Sequence, residues 1–334
     1  MQLQSKDKSI AISATSLPVS QRGTARRKFL GWLSDFEISG GILRVKKTGA
    51  VARVNGDLIF TVGKWLRYYA VVRAKVAMNW VLGTSGPQIW FTPETPRPWY
   101  MIRSAMAWSG MRVAKQPEQA DFAFYFDDST WSPQASSKGL RAFNFGCRDI
   151  SKSHVGRIFE QAFGYPLLID PATHSGLAVE KSEINSLHDG KIIECPCQPR
   201  PGYCYQRLVD TSDGDRITDF RTQCIGRMPV LVWIKTRLPT DRFVSIANID
   251  VQKRNPDEIF SADEISQISK FLELSGLDWG TLDVLRDRND GRIYIVDANK
   301  TDVGPVLNQS MRDKIASTRL IAASLAQLMA RATR

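Results

Sequence analysis

Asp283, Asp297 and Asn299 are the residues whose types and spacing suggest chemistry first. Thr281–Arg286 and Arg292–Asn299 are β-branched, alternating stretches, and the polar run Asp287–Gly291 between them carries Asn289, Asp290 and Gly291, the composition of a hairpin turn. Residues two apart on a strand share a face, so Asp297 and Asn299 point the same way. With the turn centred on Asn289, Asp283 is predicted opposite Ile295, on the face of Asp297 and diagonal to it, about 7–8 Å away between backbones. Two carboxylates that close raise each other's pKa unless a cation sits between them. Hard oxygen ligands of this kind suit Mg²⁺, which usually keeps other sites for water and phosphate oxygens.

The whole chain has room to position such a cluster. Its 334 residues suit two or three domains, and 43% hydrophobic with 24% charged residues is an ordinary globular balance. The best apolar run, Tyr68–Leu82, is interrupted by Arg73 and Lys75, so neither a signal peptide nor a spanning helix is indicated, and the expected location is the cytoplasm. Cys195, Cys197 and Cys204 with His188 lack the paired knuckles of a zinc site and read as reduced, partly buried thiols. The net charge of +11 is uneven: residues 22–115 hold 16 Lys+Arg against 4 Asp+Glu. A membrane surface or an acidic partner would be sought there. No nucleic-acid recognition motif accompanies the charge.

In order, residues 1–28 read as a flexible basic arm and 29–82 as a hairpin followed by an amphipathic helix. The hairpin is expected from Ile42–Val54 and Asp57–Val62 around a type I′ turn at Asn55-Gly56. The helix, Lys64–Leu82, places Trp65, Tyr68, Tyr69, Val72, Val76 and Trp80 on its apolar positions. Residues 83–140 alternate strand and helix as a small α/β unit, with Thr130–Gly139 as a linker. Residues 141–310 read as mixed strands and helices, including a short strand at Leu167–Asp170, and 311–334 as a closing helix. Within that stretch Ser261-Ala-Asp-Glu264 is a capping box and Gly276 a C-terminal stop.

With these elements in order, residues 149–308 resemble the ATP-grasp fold, an α+β arrangement in which two subdomains clamp ATP between antiparallel sheets. Asp283, then Asp297-Ala-Asn299, then Val303-Gly304-Pro305 is similar to the family's metal motif, with Asp297 in place of its usual glutamate. The resemblance implies ATP and Mg²⁺ as cofactors, with two ions and Mn²⁺ as a substitute. It implies Lys152 and Lys181 as phosphate lysines, the second ahead of a phosphate loop, Ser182–Gly190, that includes His188 and Gly190. Gln206, Arg207, Leu208 and Val209 resemble the hinge that reads adenine, and Asp213 or Asp210 would take the ribose. Arg221 would face the transferred phosphate. Thr281 departs from the pattern, because many members carry arginine there. The function implied is ligation of a carboxylate, of a small molecule or a peptide, to an amine or thiol through an acyl phosphate. Phosphoryl transfer to another acceptor, or a non-catalytic nucleotide-binding module, would use the same parts. The carry-over of residues 83–140 to the family's preceding domain is topological only.

Overall fold

The structure is a computed structural model that describes residues 35–46, 51–187, 189–243, 249–306 and 308–332. The chain divides into two compact units, Met1–Arg67 and Tyr68–Arg334. The expected basic arm, residues 1–28, lies outside the described residues.

The first unit holds an antiparallel sheet of β1 (Phe36–Ser39), β2 (Ile42–Val45) and β3 (Val51–Arg53). The expected hairpin turn at Asn55-Gly56 is not formed, and Asp57–Val62 is not a strand. Asn55 Oδ1 accepts the Leu58 N–H at 2.9 Å, so the residue satisfies one of the orphan donors that begin a helix instead of turning a hairpin. Helix α1 then runs Gly56–Val81, about two turns longer at its start than the apolar periodicity indicated.

In the second unit, the later part of α1 buries Tyr68, Val72 and Asn79. Tyr68 shares a hydrogen bond with Thr318, and Asn79 donates to the carbonyls of Ala107 and Trp108. Trp80, expected on the apolar face, points outward and is 83% exposed. A parallel sheet follows, ordered β5 (Arg112–Val113), β4 (Gln88–Pro93), β6 (Phe122–Phe126) and β7 (Arg141–Phe143), with α2 (Met101–Trp108) crossing between β4 and β5. Every residue of β6, Phe-Ala-Phe-Tyr-Phe, is buried, as a parallel strand covered on both faces requires. The last strand of this sheet thus comes from beyond the Thr130–Gly139 stretch.

Helix α3 (Lys152–Phe163) leads to a small antiparallel sheet, β10 (Tyr203–Arg207), β8 (Gly176–Ser182) and β9 (Lys191–Cys195). Leu167–Asp170 contributes only an isolated bridge from Leu168 to Gln206, not the expected strand. The large antiparallel sheet is ordered β14 (Asp250–Arg254), β13 (Met228–Arg237), β12 (Arg216–Ile225), β15 (Trp279–Arg286) and β16 (Ile293–Asn299), with the two-residue β11 (Ser212–Asp213) on β12. Helix α4 (Ala262–Ser275) starts at the expected capping box, Glu264 N–H to Ser261 Oγ at 3.2 Å and Ser261 N–H to Glu264 Oε2 at 2.9 Å, and ends at Gly276 with φ +64°. Helix α5 (Met311–Ala332) closes the chain.

Strand alternation gives the large sheet two different faces. Val232, Leu282, Val284, Ile293 and Ile295 pack against Phe159 of α3 and Phe271 of α4. On the other face, Trp233, Leu231 and Trp279 pack with Ile321 and Leu325 of α5 and with the phenylalanines of the parallel sheet. That cover reaches only part of the second face. The uncovered part carries the polar side chains.

Candidate functional site

Three strands of the large sheet bring the polar residues into one row. Arg221 of β12 is paired with Asp283 of β15, and Asp283 with Asp297 of β16. Asp283 is therefore directly opposite Asp297 and not diagonal to it, as even spacing from the turn predicts. A register shift lies between the Asp283 and Val284 pairings: Val284 faces Ile295, so Val296 is an extra residue on β16. Such a bulge re-aims the side chains beyond it, here bringing the carboxylates into the closest cross-strand relation. Thr281 and Asn299 form the next row.

Each carboxylate has a cation of the chain itself. Arg221 Nη1 donates to both Asp283 oxygens, at 2.9 and 3.1 Å. Burial alone would raise the Asp283 carboxyl, but Arg221 and then Lys235 hold it well below the usual carboxylate range. Lys152, the first residue of α3, sets its Nζ 2.6 Å from Asp297 Oδ1 and 3.1 Å from Asn185 Oδ1. Asn185 belongs to the Ser182–Gly190 loop, and its own N–H is held by Thr130 Oγ1 at 2.8 Å. Asn299 Oδ1 accepts the Thr301 N–H at 3.0 Å, which leaves its second lone pair available.

The second lysine is close by. Lys181, in β8 of the small sheet, donates to Gln206 Oε1 at 2.9 Å. Burial lowers its pKa while Asp297 works against the shift. Gln206 lies within β10, almost fully buried, and its amide also reaches the Val296 carbonyl at 3.5 Å. The side chain of Arg207 is committed elsewhere: it donates to Tyr294 Oη at 2.6 Å and to Asp287 Oδ2 at 3.3 Å, tying the hinge stretch to the β15–β16 end. Leu208 is half-buried and Val209 is in the core, so only their backbone groups are candidates for a ligand. Asp210 caps Ser212 through Oδ1 at 3.0 Å, whereas Asp213 is exposed on β11. Gly190 lies against the Phe243 ring, which a Cβ there would meet at 2.6 Å. His188 lies outside the described residues.

Sequence reasoning did not single out Lys235, Lys300 or Asn144. Lys235 projects from β13 onto the same face as Arg221, opposite Asp219, and burial lowers its pKa while Asp283 opposes the shift. Its signal was available: Leu231, Trp233, Lys235 and Arg237 alternate with the recognised Val230, Val232 and Ile234. Lys300, 1% exposed, bonds Ser132 Oγ directly after the metal-motif strand. Asn144 is wholly buried and holds the start of β15, accepting the N–H groups of Asp278 and Trp279 at 2.8 Å and donating to the Trp279 carbonyl at 2.8 Å. Nothing local in the sequence distinguishes it.

The donor set fits a hard divalent ion. Among the described residues no three His, Cys, Asp or Glu side chains converge, so the platform is two facing carboxylates and an amide oxygen, the small protein share that Mg²⁺ takes when phosphate and water complete its shell. Asp283 is paired with Arg221 and Asp297 with Lys152, so an incoming ion would share these carboxylates with cations of the chain.

No protein-family model matches the chain, and no curated protein matches its sequence. Solved structures to which the chain is similar include a RimK domain ATP-grasp protein from Sphaerobacter thermophilus, at 13% identity and TM-score 0.45 over 72% of this chain and 98% of that one. Another is the ATP-grasp ligase PsnB complexed with minimal precursor, at 12% and 0.47 over 74% and 99%. A third is D-alanine–D-alanine ligase from Bacillus anthracis complexed with ATP, at 8% and 0.45 over 74% and 98%. The chain is an α+β protein.

Proposed function

We propose that this chain is an ATP-dependent ligase that activates a carboxylate and joins it to an amine or thiol. The observation that carries the reading is the row Asp297, Asp283, Arg221, flanked by Lys152 and Lys181 from two other elements. Cations gathered around paired carboxylates suit a polyphosphate and its metal, because phosphoryl transfer is catalysed mainly by positioning and charge stabilisation.

In this reading Lys152 and Lys181 hold phosphate oxygens of ATP, helped by backbone N–H groups of the loop ending at Gly190 and by His188. Backbone groups of Gln206 to Val209 take the adenine, and Asp213 or Asp210 accepts from the ribose hydroxyls. Asp283, Asp297 and Asn299 would hold Mg²⁺, which when bound offsets charge on the moving phosphoryl group. Arg221, already beside Asp283, would meet that group with its remaining N–H donors.

The substrate carboxylate is ionised near neutral pH and needs no general base for the first step. Its oxygen bonds to the γ-phosphorus, the bond from that phosphorus to the β-phosphate oxygen breaks, and ADP leaves. The nitrogen or sulfur of the second substrate then attacks the acyl carbon, the carbon–oxygen bond to phosphate breaks, and the attacking group's proton passes to solvent. The carboxylate belongs to a small molecule or a peptide.

Purified protein screened with ATP and pools of carboxylates, with hydroxylamine as the nucleophile, should yield a hydroxamate together with ADP. Asp297→Ala should abolish both. A stable phosphate ester, without hydroxamate or free phosphate, would replace ligation by phosphoryl transfer to a non-carboxylate acceptor.

A further inference from the structure

Within the second unit, α1 turns an unusual face to solvent. Tyr68, Val72 and Asn79 are buried on one side, and the opposite side exposes Ala70, Arg73, Ala74, Ala77, Met78, Trp80 and Val81. At 100° per residue, 70, 73, 74, 77, 80 and 81 fall within one sector centred away from Tyr68 and Val72. The apolar end is the most prominent, since Trp80, Val81 and Leu82 are 83%, 74% and 67% exposed. A solvent-facing side of a surface helix is ordinarily polar. Here its only charge is Arg73, which has no ion-pair partner among the described residues.

We infer that this face docks on an anionic lipid surface. Charge decides between the possible occupants. No acidic residue occurs from Leu58 to Pro93, while Lys64, Arg67, Arg73 and Lys75 all lie on α1. Residues 1–34 are the same sign, with Lys6, Lys8, Arg22, Arg26, Arg27 and Lys28 against Asp7, so electrostatics disfavours that segment as the cover. A second copy packed face to face would bring Arg73 towards its own equivalent. A bilayer with anionic headgroups accepts the apolar side chains and Arg73 together and requires no groove, while Lys64, Arg67 and Lys75, on other sides of α1, add only longer-range attraction. A tryptophan at the end of such a face suits the boundary between headgroup and acyl chain. The helix lies on the surface: among the described residues none is long and apolar enough to cross.

The full chain is mixed with phosphatidylcholine vesicles and with mixed phosphatidylcholine–phosphatidylserine vesicles, and bound protein is measured by co-sedimentation. Binding to the mixed vesicles is expected, with little to phosphatidylcholine alone. Trp80→Ser combined with Val81→Ser and Leu82→Ser keeps every charge and should lower binding at least about ten-fold, given the apolar area removed. Arg73→Gln should lower it about five-fold. All four side chains are exposed, so unchanged circular-dichroism melts are expected for these variants and verify folding. Equal binding by the triple variant and the wild type would leave only the general attraction of a basic protein and overturn the proposal. So would absence of binding, equal binding to both vesicle types, or a doubled mass in light scattering that the triple variant loses, which would assign the face to a second copy.

Discussion

Lys152 Nζ sits 2.6 Å from Asp297 Oδ1, although the residues are 145 positions apart and belong to different layers. The lysine opens α3 and the aspartate lies two residues before the end of β16, so the contact pins a helix start to the β16 side of the carboxylate row. A nucleotide has to compete with Asp297 for this lysine. Metal at Asp297 and phosphate at Lys152 would each release the other's partner, so their binding should be mutually reinforcing.

Nucleotide affinity should therefore separate into two parts. Lys181→Ala is expected to weaken ATP binding about ten-fold or more, with or without Mg²⁺, because it removes a buried charge that could meet a phosphate. Asp297→Asn and Asn299→Ala should mainly remove the Mg²⁺-dependent part. Isothermal titration with and without metal distinguishes them. Metal-independent affinity left untouched by Lys181→Ala would place the clamp elsewhere.

The Arg221–Asp283 pair should persist into acid. Its carboxyl is depressed in the fold, so the contribution is fully present above the unfolded value of about 3.9 and is lost only as pH falls through the lower folded value. Arg221→Gln should cost on the order of 2 kcal/mol, since it leaves a largely buried carboxylate unpaired. Urea unfolding of both proteins should give a difference that is flat between about pH 5 and 8 and shrinks in stronger acid. A difference already vanishing at neutral pH would mean that the pair contributes nothing.

Thiol reactivity should be selective. Burial pushes Cys147 up to about 12 and Cys204 up to about 11, and it raises Cys195 and Cys224 as well. Cys197 is the partly exposed one. Native protein treated with a thiol reagent near pH 8 should be labelled first at Cys197, read by peptide mass spectrometry. Equal labelling at Cys147 or Cys224 would contradict the packing described for them.

Gly276→Ala should destabilise by more than the roughly 1 kcal/mol expected from left-handed backbone alone. Its φ is +64°, and a Cβ would come within 2.6 Å of the Gly146 backbone. Equilibrium denaturation measures the loss. A value below that figure would show that the 146 and 276 segments can move apart.

Much of this was legible in the chain's own pattern. The capping box at Ser261 and Glu264, the stop at Gly276 and the alternation of β13 and β15 are local signals, and the structure contains them. The face shared by Asp283, Asp297 and Asn299 was legible too, because strand periodicity fixes faces over short distances. Their spacing was not. Val284, and not Asp283, already faces Ile295 on the turn side, and the bulge at Val296, which depends on packing across the sheet and leaves no local mark, adds a second residue of offset, so the diagonal expected for Asp283 became a direct pairing. Asn55-Gly56 failed differently, since an asparagine that can begin a turn can equally cap a helix. Trp80 lies about 120° round α1 from Tyr68, at the edge of the apolar sector, so its apolar type and not its helical position suggested burial.

Val296 also separates two kinds of freedom along one strand. On its turn side, Ile293 to Ile295 pair with Val284 to Arg286 and adjust with the Asp287–Arg292 connection. On its far side, Asp297 to Asn299 are locked to Thr281 to Asp283. The extra residue works as a slip joint, so changes of length in the connection should be taken up before they reach the carboxylates. Shortening the turn should lower thermal stability while leaving Mg²⁺-dependent nucleotide affinity in place, whereas in a chain lacking Val296 the ladder becomes regular, Asp297 stays opposite Asp283, and the same shortening should reach the carboxylates and lower that affinity.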